Sequence, residues 1–187
     1  MHADVAEKVA KEADSASTYS AADRMKKMPY TQAVILETMR LRPPAYIVGR
    51  CTSKDGVILG GYSLPRGTTV LISPYVIHKS SRYWSKADEF MPERWMHERD
   101  VSVDEDLLLA SIIAGTANEG AYIPFGAGQR NCVGALFAMM ETTLIVGEVC
   151  KRFTLRIPNG GTIPDPKPFV TLRPENDRVV LTLRRRS

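Results

Sequence analysis

Cys132 lies in the run Phe125-Gly-Ala-Gly-Gln-Arg-Asn-Cys-Val-Gly134, a glycine-punctuated loop with Arg130 two residues before the thiol. A largely apolar helical stretch follows at once. A helix N-terminus offers positive partial charge and free N–H groups, which favour a thiolate over a thiol. That context suits a thiolate kept deprotonated on an iron porphyrin, where a sulfur ligand pushes electron density onto the metal and favours O–O cleavage. Each piece alone has a plainer reading. A lone cysteine is commonly a small core residue, and glycines near a helix start commonly serve a turn and a cap. The joint pattern is what singles the loop out.

The loop resembles the haem-ligand loop of the cytochrome P450 family, whose signature is Phe-x-x-Gly-x-Arg-x-Cys-x-Gly. Every fixed position is filled here, by Phe125, Gly128, Arg130, Cys132 and Gly134. Two further motifs stand in the family's order. Glu37-Thr-Met-Arg40 lies in an apolar stretch between Pro29 and Pro43-Pro44, and Phe90-Met-Pro-Glu-Arg-Trp95 follows it. Glu37 and Arg40 are three apart and share a face of a helix predicted over Tyr30 to Leu41. An exposed pair of this kind contributes at most ~0.5 kcal/mol. In so apolar a helix the pair is desolvated and needs fixed partners. The resemblance supplies one, Arg94, as third member of a structural Glu–Arg–Arg cluster.

The resemblance also implies the remaining roles. Cys132 becomes the axial ligand of the iron in haem b. Arg130 pairs with a haem propionate and Arg50 with the second. Gly126, Gly128 and Gly134 belong to the porphyrin-binding loop, with unusual torsions expected at Gly128 and Gly134. Phe125 shields the sulfur. Ala45, Tyr46, Ile47 and Val48, together with Pro164 to Phe169, correspond to loops that line the substrate pocket. The implied reaction is monooxygenation: one atom of dioxygen enters a hydrophobic small molecule. Electrons come from NADPH through a reductase or a ferredoxin-type donor, which a basic surface would attract.

The elements that must position these residues read as mainly α with small antiparallel β-sheets, an α+β pattern like the C-terminal part of the P450 fold. Residues 1–28 hold a helix (3–13) and a polar connection from Asp14 to Asp23. Residues 29–44 form the Glu-x-x-Arg helix, and 45–79 are β-rich, with runs at Tyr46–Cys51, Val57–Leu59 and Thr69–Ser73. Residues 80–119 carry the Pro-Glu-Arg motif and an acidic patch at Asp100–Asp106. The ligand loop spans 120–134 and a core helix 133–152. Strands are predicted at Phe153–Ile157, Val170–Leu172 and Arg178–Leu183, the last two joined by Glu175-Asn176-Asp177.

Composition fits an ordinary globular domain: 187 residues, 44% apolar, 25% charged, net charge +4. No aromatic-interleaved basic stripe points to nucleic acid, and no apolar run reaches the 18 residues of a membrane span. Cys51, Cys132 and Cys150 are too few and too scattered for a disulfide scaffold or zinc site. Cys51 and Cys150 read as core, and His2, His78 and His97 form no ligand cluster.

A P450 is more than twice this length. The part expected to be missing is N-terminal: the anchor where one exists, the long distal helix with its acid/alcohol pair, and a Trp-x-x-x-Arg propionate site. Ala114-Gly115-Thr116-Ala117 resembles the distal motif but stands in the wrong place. The localisation of the chain is open; an endoplasmic-reticulum membrane suits a full-length eukaryotic parent. Two alternatives remain beside the monooxygenase fragment: a haem-thiolate peroxide isomerase needing no electron donor, and a short non-catalytic interaction module.

Overall fold

A computed structural model describes residues 2–97, 117–158 and 161–186. Three helices come first: α1 (Ala3–Ser15), α2 (Ala21–Lys26) and α3 (Pro29–Leu41). Four short strands follow, β1 (Val48–Cys51), β2 (Val57–Leu59), β3 (Tyr62–Leu64) and β4 (Thr69–Ile72). Beyond them lie two single-turn helices, α4 (Pro74–Ile77) and α5 (Arg94–His97), then the long α6 (Ala135–Arg152). The chain closes with β5 (Phe153–Arg156), β6 (Pro166–Pro168), β7 (Leu172–Pro174) and β8 (Thr182–Arg185). The architecture is the expected α+β, mainly helical with small antiparallel sheets.

The helices make the core. α1 lies along α6, where Gly147 brings the two close: a side chain there would run into Met28 and meet Ala13 Cβ at 3.2 Å. The main apolar cluster joins Ile35 and Leu36 of α3 to Met139 of α6 and to Trp84, Trp95 and Tyr122. Helix α3 begins at Pro29, which suits a first turn because its missing N–H is not needed there. Its own N-cap, Met28, offers no oxygen. Glu12 of α1 caps it instead, accepting the Tyr30 N–H (2.8 Å), the Thr31 N–H (2.7 Å) and the Thr31 hydroxyl (2.6 Å).

The connection expected from Asp14 to Asp23 is shorter than that. α1 runs on to Ser15, and Ser20 caps α2 by accepting the Asp23 N–H. The β-rich region is two separate ladders, β1 with β4 and β2 with β3, rather than one sheet. Gly60 and Gly61, both at positive φ, make the tight β2–β3 turn that keeps this hairpin apart. Cys51 is exposed and not core: it ends β1 opposite Thr69, on a two-stranded ladder. Cys150 is buried on α6 against Val9 and Ala10, and burial pushes its thiol up.

The C-terminal pairing also differs from expectation. β7 folds back onto β6 through Phe169–Thr171, so Val170 sits exposed at a turn tip. β8 lies at 182–185 and pairs with β5. Glu175–Asp177 is a 3₁₀ turn with Asn176 and Asp177 at positive φ, and does not join a hairpin. The β-branched runs at 170–172 and 178–183 suggested strands, but the prolines at 166, 168 and 174 set where pairing starts and stops. The acidic patch and the Ala114–Thr116 look-alike lie outside the described residues.

Candidate functional site

Two adjoining arrangements carry the chemistry: a buried ionic cluster and the cysteine loop. Glu37 and Arg40 are completely buried on α3. Arg40 grips the carboxylate with both faces of its fork, Nε to Oε2 at 3.0 Å and Nη2 to Oε1 at 2.9 Å. Its remaining N–H groups reach the carbonyls of His78 (2.8 Å), Ala87 (2.6 Å) and Glu89 (3.0 Å). Arg94 Nε reaches Glu37 Oε1 at 3.1 Å, while its Nη atoms hold the Ser85 and Lys86 carbonyls. The Met91 N–H and the Trp95 indole N–H complete the carboxylate, at 2.9 and 3.0 Å. Burial pushes the Glu37 carboxyl up, but Arg40, the Met91 N–H and Arg94 outweigh it and hold the carboxyl below its usual value. Every donor of Arg40 has an acceptor, the condition under which a buried ion pair is tolerated.

From this cluster the chain passes into the loop. Tyr122, fully buried, donates its hydroxyl to the Leu36 carbonyl at 2.7 Å and lies ring to ring with Trp95 at 4.6 Å. Ile123 donates its N–H to Nε2 of buried His78 at 2.9 Å. The loop then turns tightly. Gly126 (φ +78°) bonds the Ile123 carbonyl, and Gly128 (φ +70°) opens a 3₁₀ turn through Arg130. The Cys132 N–H returns to the Phe125 carbonyl at 2.8 Å and closes the loop.

Both positive-φ positions require glycine for torsion, since added side chains would meet nothing closer than 3.8 Å. Gly134 differs from expectation: its φ of −89° is ordinary, and what it does is keep the sulfur's flank open. A methyl group there would touch Cys132 Sγ at 3.9 Å.

Cys132 is exposed, three residues before the first residue of α6. Val133, next to it in sequence, and Leu136 and Phe137 in the first turn of α6 are exposed. Among the described residues no group of three His, Cys, Asp or Glu side chains could hold a metal ion. An exposed cysteine sulfur followed by exposed apolar side chains fits a flat, apolar, metal-carrying group, and Arg130 on the exposed turn suits an acidic edge. Phe125 is half-buried and packs on the core cluster around Met139. Arg50 is exposed and folds back on its own strand, donating to the Gly49 carbonyl at 2.9 Å.

The two loops expected to line a pocket meet. The Tyr46 hydroxyl donates to the Phe169 carbonyl at 2.8 Å, and the Leu172 N–H to the Pro44 carbonyl at 2.8 Å. Arg173 stacks on the Phe169 ring at 4.1 Å. Ala45, Tyr46 and Val48 are half-buried and Ile47 is exposed. Sequence reasoning did not find Trp95, Tyr122 or His78. Trp95 had a signal, its place directly after Pro-Glu-Arg; the other two act through backbone groups that no residue pattern reveals.

A family model described as Cytochrome P450 matches residues 1–181. Cyclooctatin synthase of Streptomyces melanosporofaciens is 38% identical over 146 residues, covering 78% of this chain and 28% of that protein. Cytochrome P450 3A11 of Mus musculus is 32% identical over 192 aligned positions, covering 96% and 35%. Lithocholate 6-beta-hydroxylase of Mesocricetus auratus is 36% identical over 158, covering 83% and 28%. The chain thus spans about a third of the length of these curated relatives. Since the match runs from α1 through the buried cluster and past Cys132 to residue 181, the chain belongs to the cytochrome P450 family.

Proposed function

We propose that this chain is the thiolate-bearing, C-terminal part of a P450 monooxygenase that oxygenates a hydrophobic small molecule. The observation that carries the reading is the exposed Cys132 on a closed loop, followed in sequence by the exposed apolar side chains Val133, Leu136 and Phe137. Cys132 would hold haem b, whose bound iron supplies dioxygen activation. Arg130 would pair with one propionate, and Arg50, once swung off Gly49, with another. Gly126 and Gly128 shape the loop and Gly134 leaves the sulfur's flank clear for a close approach. Phe125 limits water behind the loop. Tyr46 and its neighbours Ala45, Ile47 and Val48, tied to Phe169, would form one wall of the substrate site.

Relatives named as a monooxygenase and a hydroxylase support the reaction class. Electrons would come from NADPH through a partner reductase or ferredoxin-type protein. Among the described residues no helix is long and apolar enough to cross a membrane.

The test is the reduced carbon monoxide difference spectrum of the 187-residue chain supplied with haem, beside Cys132→Ser. A strongly red-shifted Soret band that vanishes in the serine variant is the expected result. The same spectrum from both proteins would exclude Cys132 as the ligand.

A further inference from the structure

His78 is completely buried, yet it lies in neither the ionic cluster nor the cysteine loop. It touches both. Its carbonyl accepts from Arg40 Nη1 at 2.8 Å, and its Nε2 accepts the Ile123 N–H at 2.9 Å. The Ile123 carbonyl in turn takes the Gly126 N–H at 3.0 Å, at the first turn of the loop that the Phe125–Cys132 bond closes. With Nε2 an acceptor, the neutral ring carries its proton on Nδ1.

We propose that His78 is a positioning residue for the Cys132 loop: its imidazole anchors the root of the loop, at Ile123, to the Glu37–Arg40 cluster. The inference rests on the haem-ligand reading for its functional meaning only; the anchoring itself exists without haem.

The surroundings favour the required neutral form. Burial above all, with the Arg40 charge adding to it, outweighs the backbone carbonyls of Met39 and Arg40 and brings the ring down to about 4. The charged groups facing it belong to α3: Arg40, and Glu37 behind it. On the loop side Tyr122 lies ring to ring at 5.0 Å. A protonated ring cannot accept the Ile123 N–H, so acid should release the loop at its root while α6, held by other contacts, stays formed.

Amide hydrogen exchange of the 187-residue chain, resolved by residue, tests this with no haem added. His78→Phe keeps the ring shape and removes the acceptor. The expected result is exchange about fivefold faster or more at Ile123, Gly126 and Cys132, with the α6 amides unchanged. His78→Gln, which sets an oxygen near the Nε2 position, should restore protection. In the unmutated chain, protection at Ile123 should fall with acid along the titration curve of the His78 ring, followed by NMR. Loop protection unchanged in His78→Phe, or an acid midpoint for Ile123 that departs from that of His78, would overturn the proposal. A failure of the haem spectrum with this exchange pattern intact would count against the proposed function alone.

Discussion

The indole N–H of Trp95 donates to Oε2 of Glu37 at 3.0 Å, the opposite oxygen from the one that Arg94 Nε engages at 3.1 Å. The residue next to Arg94 in sequence thus completes the same carboxylate, and a fully buried ring shares its wall with Tyr122. Trp95→Phe should cost about 1.5–3 kcal/mol, the usual worth of a hydrogen bond to a charged group. Urea unfolding of the two proteins measures it, and a difference under half that range would show that the indole N–H is dispensable.

Glu37→Ala leaves Arg40 and Arg94 without their carboxylate inside the core. Loss of one partner of a buried pair costs about 3–5 kcal/mol, comparable with the whole stability of a small domain. The variant is expected to lose the cooperative thermal transition seen by circular dichroism, and with it any capacity to take up haem. Retained haem in this variant, within a full-length parent, would deny the cluster its structural role.

Acid should weaken the fold in two stages. His78 has a native value of about 4 against an ordinary 6.5, so the native state binds fewer protons there. The stability this group contributes is complete above 6.5 and drains away as pH falls to about 4, a loss of roughly 3 kcal/mol. Glu37 has a native value held below the ordinary 4.5, so its contribution persists above 4.5 and is lost as pH falls further. Stability measured by denaturant from pH 7 to 4 should therefore decline, and His78→Gln should flatten the first stage. An unchanged slope in that variant would remove His78 as its source.

Gly126 and Gly128 both sit in the left-handed region, whereas Gly134 does not. Alanine at either of the first two should cost about 1–2 kcal/mol through backbone strain. Gly134→Ala should cost little stability and instead bring a methyl against the Cys132 sulfur. Melting curves separate the two kinds of glycine, and the alkylation rate of Cys132 reports the crowding at the third.

Much of this was legible in the residues. The proline bracket and apolar filling of 29–44 located α3, and the Phe125–Gly134 run located the loop, because side-chain type determines both. The ladders were less readable. Val170 looks like a strand residue but tops a turn, because the prolines around it dictate which N–H groups exist to pair. Cys51 looked like core because residue type carries no count of the layers stacked over a two-stranded ladder. No sequence pattern marks His78, since its partners are a backbone N–H and, through its own carbonyl, an arginine from a distant helix. Long-range partners of main-chain atoms leave no mark on composition.

The cap that Glu12 gives to α3 has a consequence for how the chain assembles. Helix α1 also ties Lys8 to Glu93 at 3.0 Å and Glu7 to Arg186 at 2.6 Å. One short amphipathic helix therefore clasps the third helix, the segment before α5 and the far end of the chain. Contacts so distant in sequence form slowly, because loop closure must precede the gain. The ties of α1 to Glu93 and Arg186 are thus among the last contacts to lock.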